Sequence, residues 1–428
     1  MMEQRRWNNI LATKIPTGQV IGFHARNMDV AELSEELWQT MLDPQFDGDA
    51  LEQLKSWDLE KSSEVRDQNM KSKIQSLSIN VTQICNLQCT YCAAGKDGTY
   101  GRPEKKISVE KTIPQIALLM DRLSTGDTFN ITFLGGEPLL YPEGLQLIAD
   151  YAKEKAQEKS LRVKFNIITN GTLFNEKTIR VLESFQSQIT LSLDGPAEIN
   201  DIVRPSKGSK GVTEKILEGL KLLVQHRENL GPIIIQGVFG PYNKTPLRSY
   251  LFYRELGADQ YDFHFDNESS DVAASEQFVA DFHQIARLAL QQGGESSLRK
   301  IKFFDQMFRQ LDAKYRLENF CGSGKSYLVL DAKNKAFNCP WAVNDLQLAV
   351  GSETDLRPER MQTIRNSLIS VNNCGDCWAR HLCGGGCMWA HKQATGDKHQ
   401  VDPIFCDRTR SLISLAISYY YQVRKEVL

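Results

Sequence analysis

An α/β fold built on a parallel sheet is what this 428-residue chain predicts, and three observations predict it. Between residues 73 and 298, six short apolar runs alternate with six longer segments of helical periodicity, the pattern of parallel strands joined by crossover helices. Hydrophobic residues make up 41% and charged residues 24%, enough apolar material for a sizeable core. All ten cysteines fall into two groups, at 85–92 and 321–406, so the chemistry belongs to one loop of the sheet region and to a separate C-terminal region.

The strands expected in order are Leu77–Thr82, Phe129–Leu134, Val163–Thr169, Ile189–Leu193, Ile233–Phe239 and Tyr261–Phe265. The helices are Val109–Leu123, Pro142–Ala156, Glu176–Phe185, Val212–His226, Leu247–Leu256 and Glu276–Gln292. Six such units argue for a sheet closed or partly closed into a barrel, with chemistry at the C-terminal ends of the strands. Residues 1–72 form a small α+β unit. It has a hairpin, Ile10–Ile15 and Gln19–His24 around Pro16-Thr17-Gly18, then helical patterns at Val30–Met41 and Asp49–Leu59. The polar stretch Glu60–Lys73 serves as linker. Residues 299–428 are cysteine-rich, dense in turns, and end in an apolar helix, Thr409–Val423.

Charge excludes some partners. A net charge of −2 gives no electrostatic case for nucleic acid or an anionic membrane. No apolar stretch approaches the roughly 18 residues of a membrane span, and the N-terminus lacks the apolar core of a signal peptide. The expected location is the cytoplasm, where clustered cysteines remain thiolates and read as metal ligands.

Cys85, Cys89 and Cys92 stand as C-x3-C-x2-C just after the first strand of the sheet. Three thiolates leave one iron of a four-iron cube open to another ligand. A zinc site is the alternative, but it needs a fourth ligand and the loop has no histidine. With Tyr91 before the third cysteine, the loop resembles that of the radical S-adenosylmethionine (SAM) enzymes. At the end of the second strand, Gly135-Gly136-Glu137-Pro138 resembles the segment that grips the amino group of SAM in that family. Glycines there allow close approach of backbone to a ligand, and a carboxylate suits an ammonium. Ser192 and Arg204 match further family positions; the resemblance implies SAM contacts, with Arg204 on the carboxylate. Asn170 matches a recurrent segment that is also an ordinary turn.

The resemblance implies a partial (β/α)6 barrel of the radical SAM type. It also implies that a cluster held by the three cysteines is reduced and cleaves SAM to a 5′-deoxyadenosyl radical. Cys321, Cys339, Cys374, Cys377, Cys383, Cys387 and Cys406 resemble the seven-cysteine SPASM domain. By that resemblance, Cys374, Cys377, Cys383 and Cys406 ligate one auxiliary 4Fe-4S cluster and Cys321, Cys339 and Cys387 another, giving three clusters in all. The second set has only three evident thiolates; another residue completes it, or one iron stays open. Asn334 occupies a turn position where the family often has glycine, and asparagine tolerates positive φ. Structural zinc sites are the alternative.

Asp262, His264 and Asp266 alternate with Phe263 and Phe265 on the last strand. That sends them to one face, making His264 and Asp266 candidate catalytic groups or a satisfied polar strand end. The family's sulfatase-maturing members carry an aspartate directly after the cysteine corresponding to Cys339, where this chain has Pro340. The N-terminal unit resembles leader-peptide recognition elements, which add a peptide strand to a sheet edge; a cap on the barrel is the alternative. The reading is a peptide maturase that forms a thioether or carbon–carbon crosslink in a precursor peptide or protein, with a flavodoxin or ferredoxin as electron donor. Its alternatives are side-chain oxidation and a non-catalytic iron–sulfur or zinc scaffold.

Overall fold

The computed structural model describes residues 3–59, 73–92, 106–343, 349–352, 356 and 366–425; most of the expected linker lies outside them. Contacts divide the chain into two compact units. One gathers Met1–Met70, Asn267–Cys321 and Asn366–Leu428, the other Lys71–Asp266 and Gly322–Arg365.

The first unit holds an antiparallel sheet of four strands in sequence order: β1 (Glu3–Trp7), β2 (Ile10–Lys14), β3 (Val20–His24) and β4 (Asp29–Leu33). The hairpin expected from the sequence is β2–β3. The helix expected from Val30 is corrected by β4, which pairs with β3 from His24–Asp29 to Val20–Leu33. The spacing of Val30, Leu33 and Leu37 suits a helix. The reversal after His24, with Met28 at φ 59°, instead brings the chain back alongside β3, and ladder bonds prevail over propensity. The helix starts only at Glu35, where the Ser34 hydroxyl caps the Leu37 amide. Ile10, Ala12, Val20, Leu33, Trp38 and Leu54 form the local core.

Three long helices complete this unit: Val272–Arg299, Lys302–Ala313 and Pro403–Lys425. Non-helical backbone at Gly293 and Gly294 breaks the first of them. Arg424 joins them through Glu295 and Asp312, both at 2.6 Å, and Lys425 reaches Glu32 of β4 at 2.9 Å. The late cysteine segment packs here too. Trp378 meets Phe23 edge-on, with centroids 6.3 Å apart, and Arg380 Nη2 donates to Asn9 Oδ1 at 3.0 Å.

The second unit is built on one sheet. Its strands are β5 (Ser76–Thr82), β6 (Thr128–Gly135), β7 (Arg162–Thr169), β8 (Gln188–Ser192), β9 (Ile233–Phe239), β10 (Gln260–Phe265), β11 (Tyr327–Leu330), β12 (Ala336–Phe337) and β13 (Ala349–Gly351). Their order is β10-β9-β8-β7-β6-β5-β11-β12-β13. Strands β5 to β10 are parallel and match the six expected runs. Because β5 pairs with β6 and β11 rather than with β10, the sheet is open.

Alternation sorts its two faces. Ile131, Phe133, Ile167, Ile189 and Leu191 are fully buried on one, and Phe133 and Phe165 pack with Phe185. The other face is polar. Ser78, Thr132, Asn166 and Gln188 are in register across β5 to β8. Nearer the C-terminal ends, Ser192, Gln236 and Asp262 are in register across β8 to β10.

Candidate active site

The three-cysteine loop follows β5 and is gripped from two sides. On one side, Gly136 N donates to Thr82 O at 2.8 Å and Glu137 N to Ile84 O at 3.0 Å. A Cβ on Gly136 would sit 2.1 Å from Ile84 O and 2.7 Å from Cys85 N; one on Gly135, at φ 133°, would sit 2.2 Å from Thr82 O. Glycine is required here because the strand end lies directly against the backbone that carries Cys85. The sequence suggested approach to a ligand; the described structure puts the cysteine loop itself at that distance.

On the other side lies the segment after the helix Ala197–Val203. Gln88 N donates to Pro205 O (3.0 Å), Thr90 N to Val203 O (2.9 Å) and Lys207 N to Asn86 O (3.3 Å). These bonds fix the loop on both flanks of Cys89. Asn170 Nδ2 bonds Asn86 Oδ1 at 2.9 Å and reaches Cys85 Sγ at 3.6 Å, so this residue does more than make a turn.

Glu137 is fully buried. Its carboxylate accepts from Leu139 N (3.0 Å), Thr169 Oγ1 (2.7 Å) and Asn170 N (2.8 Å). Burial raises its pKa, and these bonds and Arg204 pull the other way. Its side chain therefore ties the ends of β6 and β7 together, while Pro138 opens a short 3₁₀ turn, Pro138–Leu140. Ser192 closes β8 beside Gln236.

Beneath Cys89 runs a buried relay. Arg204 Nη1 donates to Tyr91 Oη at 2.5 Å, and Tyr91 Oη donates to Asp194 Oδ2 at 2.6 Å. Asp194 Oδ1 accepts from Val238 N at 2.9 Å, and the Tyr91 ring stacks on Tyr242 at 4.9 Å. Burial raises the Cys89 thiol, and Arg204 opposes it. Burial works against the charge on Arg204, but Cys89, Tyr91 and Asp194 more than offset it, so the guanidinium stays charged. Arg204 Nε is buried without a hydrogen-bond partner among the described residues. Sequence reasoning does not single out Asp194, which lies two residues after Ser192; only its charge at a strand end marks it.

Burial pushes Cys85 up to about 12, with Glu137 adding to it. A bound iron cluster reverses this by taking the thiolates as ligands. Cys374, Cys377, Cys383 and Cys406 are gathered within the first unit. Burial pushes Cys383 up to about 12, with Cys406, Cys377 and Cys374 adding to it. Cys406 rises to about 11 by burial, reinforced by Cys374 and Cys377. Gly384, Gly385 and Gly386 all have positive φ and thread past Asn319, Leu368 and His391. Among the described residues, no three Cys, His, Asp or Glu side chains are set to hold a single metal ion. Thiolates of a cluster bind different irons and need not converge on one point. The donor sets and their burial fit clusters.

Cys321 is exposed, Cys339 precedes the turn Pro340–Ala342, and Cys387 starts the helix Met388–Thr395. Asn334 takes φ 60°, and its Nδ2 donates to Thr112 Oγ1 at 2.8 Å. His264 Nε2 lies 3.1 Å from Asp262 Oδ2. Asp266 lies beyond the strand, with its amide on Phe239 O at 2.8 Å.

Residues 79–245 match the Radical SAM superfamily. The chain is 32% identical over 162 residues to an uncharacterised protein of Methanocaldococcus jannaschii, covering 38% of this chain and 53% of that one, about half its length. It is 24% identical to the serine-type anaerobic sulfatase-maturating enzyme of Klebsiella pneumoniae, covering 73% and 81% of the two chains. The fold resembles native anSMEcpe with bound AdoMet (TM-score 0.68, 18% identity, 81% of this chain and 98% of that). It also resembles Streptococcus suis SuiB bound to precursor peptide SuiA (TM-score 0.52, 14% identity, 94% and 100%). No helix among the described residues is long and apolar enough to cross a membrane. Residues 79–245 are therefore a radical SAM domain.

Proposed function

We propose that this enzyme is a maturase that acts on a peptide or protein substrate and forms a thioether or carbon–carbon crosslink in it. The observation that carries the proposal is the pairing of two thiol sets. One is a three-cysteine loop clamped between Gly136 and the 203–207 segment; the other is the Cys374, Cys377, Cys383 and Cys406 group. A crosslink made after hydrogen abstraction is a net two-electron oxidation, and the second group offers a place for the second electron. Cys321, Cys339 and Cys387 make a third cluster in this reading.

When bound, SAM and the cluster of Cys85, Cys89 and Cys92 supply a 5′-deoxyadenosyl radical that removes hydrogen from an unactivated C–H bond. The chain's own residues prepare the place. Arg204 keeps a fixed positive charge, with Nε left over to meet an anionic group such as the SAM carboxylate. Tyr91 holds that arginine against Asp194. The Gly135–Gly136 backbone, Pro138 and Ser192 border the same strand ends, while Glu137 fixes their geometry. His264, oriented by Asp262, serves as proton acceptor for the substrate, with Asp266 nearby in sequence.

The relatives named as sulfatase-maturating enzymes favour side-chain oxidation as a second reading. Pro340 argues against it, because it offers no proton acceptor after Cys339. The test is anaerobic iron and sulfide analysis with Mössbauer spectroscopy on wild type and a Cys85/Cys89/Cys92 triple alanine variant. About twelve irons falling to about eight is the expected result. Loss of no iron in the variant, or bound zinc in the C-terminal region, would sink the proposal.

A further inference from the structure

The segment clamping the three-cysteine loop ends in an exposed basic turn. Residues 207–211 are all exposed, and Lys207 and Lys210 flank Gly208 and Ser209. Nothing about this turn is loose. Ser206 N donates to Lys210 O at 3.1 Å, Ser209 N donates to Ser206 O at 2.8 Å, and Lys210 N donates to Ser206 Oγ at 3.0 Å. Ser209 takes φ 55° to close it. Leu87 and Ser206 form an antiparallel bridge, and Lys207 N bonds the carbonyl of Asn86, the residue next to Cys85.

Neither lysine has an ion-pair partner among the described residues, and no acidic residue lies between Asp201 and Glu214. Asp201 is itself engaged: its carboxylate accepts from Val212 N at 2.8 Å and Thr213 N at 2.9 Å. A third exposed lysine, Lys244, follows shortly after Tyr242, whose ring stacks on Tyr91. The backbone that carries these two lysines is thus fixed, and Lys207 lies one hydrogen bond and one peptide unit from a cysteine of the loop.

We infer that the Lys207–Lys210 turn is the docking point for an acidic one-electron carrier protein. The inference rests on the reading that the loop holds the reducible cluster. Weak redox encounters bury little surface and are steered by complementary charge, and a short path to the acceptor matters more than a large interface. In the step itself, one electron leaves the reduced flavin or iron–sulfur centre of the carrier, which is oxidised, and reduces the iron–sulfur group of the loop. No bond is made or broken at the lysines.

The test uses flavodoxin as the probe and the cluster-loaded enzyme as wild type, K207E/K210E, K207R/K210R and, as a control on the helix Thr213–Gln225, K221E. Binding of flavodoxin is followed by titration calorimetry at low and high salt. Formation of 5′-deoxyadenosine is followed with reduced flavodoxin and, separately, with dithionite. K207E/K210E is expected to weaken flavodoxin binding and slow flavodoxin-driven cleavage by about tenfold, with the salt dependence largely lost. K207R/K210R and K221E stay near wild type, and dithionite-driven cleavage changes less than about twofold in every variant.

Unchanged flavodoxin binding in K207E/K210E would overturn the inference. An equal fall with dithionite would overturn it too, because the lysines would then be serving the loop's structure. If instead the variant loses binding of a glutamate-rich peptide but keeps flavodoxin, the turn receives acidic substrate and the inference is wrong. Wild type that cleaves no SAM even with dithionite refutes the reading of the cluster loop, and the binding titration still decides the docking question.

Discussion

Replacing Gly136 with alanine adds one methyl group at the tightest glycine contact among the described residues. The new Cβ would lie 2.1 Å from Ile84 O and 2.7 Å from Cys85 N. Non-bonded atoms need roughly 3 Å or more, so the Ile84–Cys85 peptide must retreat by about 1 Å. Both neighbours are backbone, and no rotamer change relieves the clash. The retreat stretches the bond from Glu137 N to Ile84 O, now 3.0 Å, and displaces Cys85. Overpacking of this kind costs about 1–3 kcal/mol, which a chain of this size survives. A displacement of about 1 Å at a metal ligand is harder to absorb, because coordination lengths tolerate only about 0.2 Å. The variant should therefore fold, with a melting temperature lowered by a few degrees, yet lose roughly four irons per chain and all reductive SAM cleavage. Gly208→Ala is the control, since nothing lies within 4 Å of its Cβ position. Full iron content and SAM cleavage within about twofold of wild type in Gly136→Ala would refute the clamp argument.

Other substitutions probe the remaining parts. Asn170→Leu removes the amide beside Cys85 Sγ. Because hydrogen bonds to cluster sulfurs raise the potential, a redox titration followed by electron paramagnetic resonance should find the SAM-site cluster harder to reduce by tens of millivolts; an unchanged midpoint would contradict this role. Cys383→Ser should remove roughly four irons while sparing the three-cysteine loop; Mössbauer spectra showing that loop emptied instead would contradict the grouping. Glu32 is held down to about 2 by hydrogen bonds from Tyr421, Lys425 and Gln19. Its folded pKa is below its unfolded value, so its stabilisation is present above about pH 4.5 and disappears as pH falls toward 2. The site is solvent-exposed, so the effect is under about 1 kcal/mol. Glu32→Gln should flatten that part of an acid-unfolding profile, and a profile identical to wild type would count against the contact.

The six central strands were legible because β-branched and aromatic runs of five to seven residues, separated by helical periodicity, have few other ways to bury themselves. The thiol sets were legible because cysteine clustering is rare by chance. What escaped was decided by pairing. Strand β1, Glu-Gln-Arg-Arg-Trp, carries almost no apolar signal and forms because β2 offers it a partner. Strand β4 mimics a helix start. The short β11 joins the sheet beside β5, which no local pattern announces. At the site, Glu137 was read as a ligand-facing carboxylate, and its burial under three donors depends on where Thr169 and Asn170 end β7. Asp194 gained meaning only when folding placed it opposite Tyr91.

The pairing of β5 with β11 also governs how the protein is made. Tyr327 joins Ser76 in register, so one edge of the strand leading into the three-cysteine loop waits for some 250 residues of later synthesis. Until then that edge is an open template for mispairing, and contacts this distant in sequence form slowly. A nascent or truncated chain that stops before β11 should be aggregation-prone. Filling the first cluster before the C-terminal region has been translated would mean loading metal into a half-finished sheet. Heterologous expression should therefore respond more to slowed translation and chaperone supply than to added iron alone.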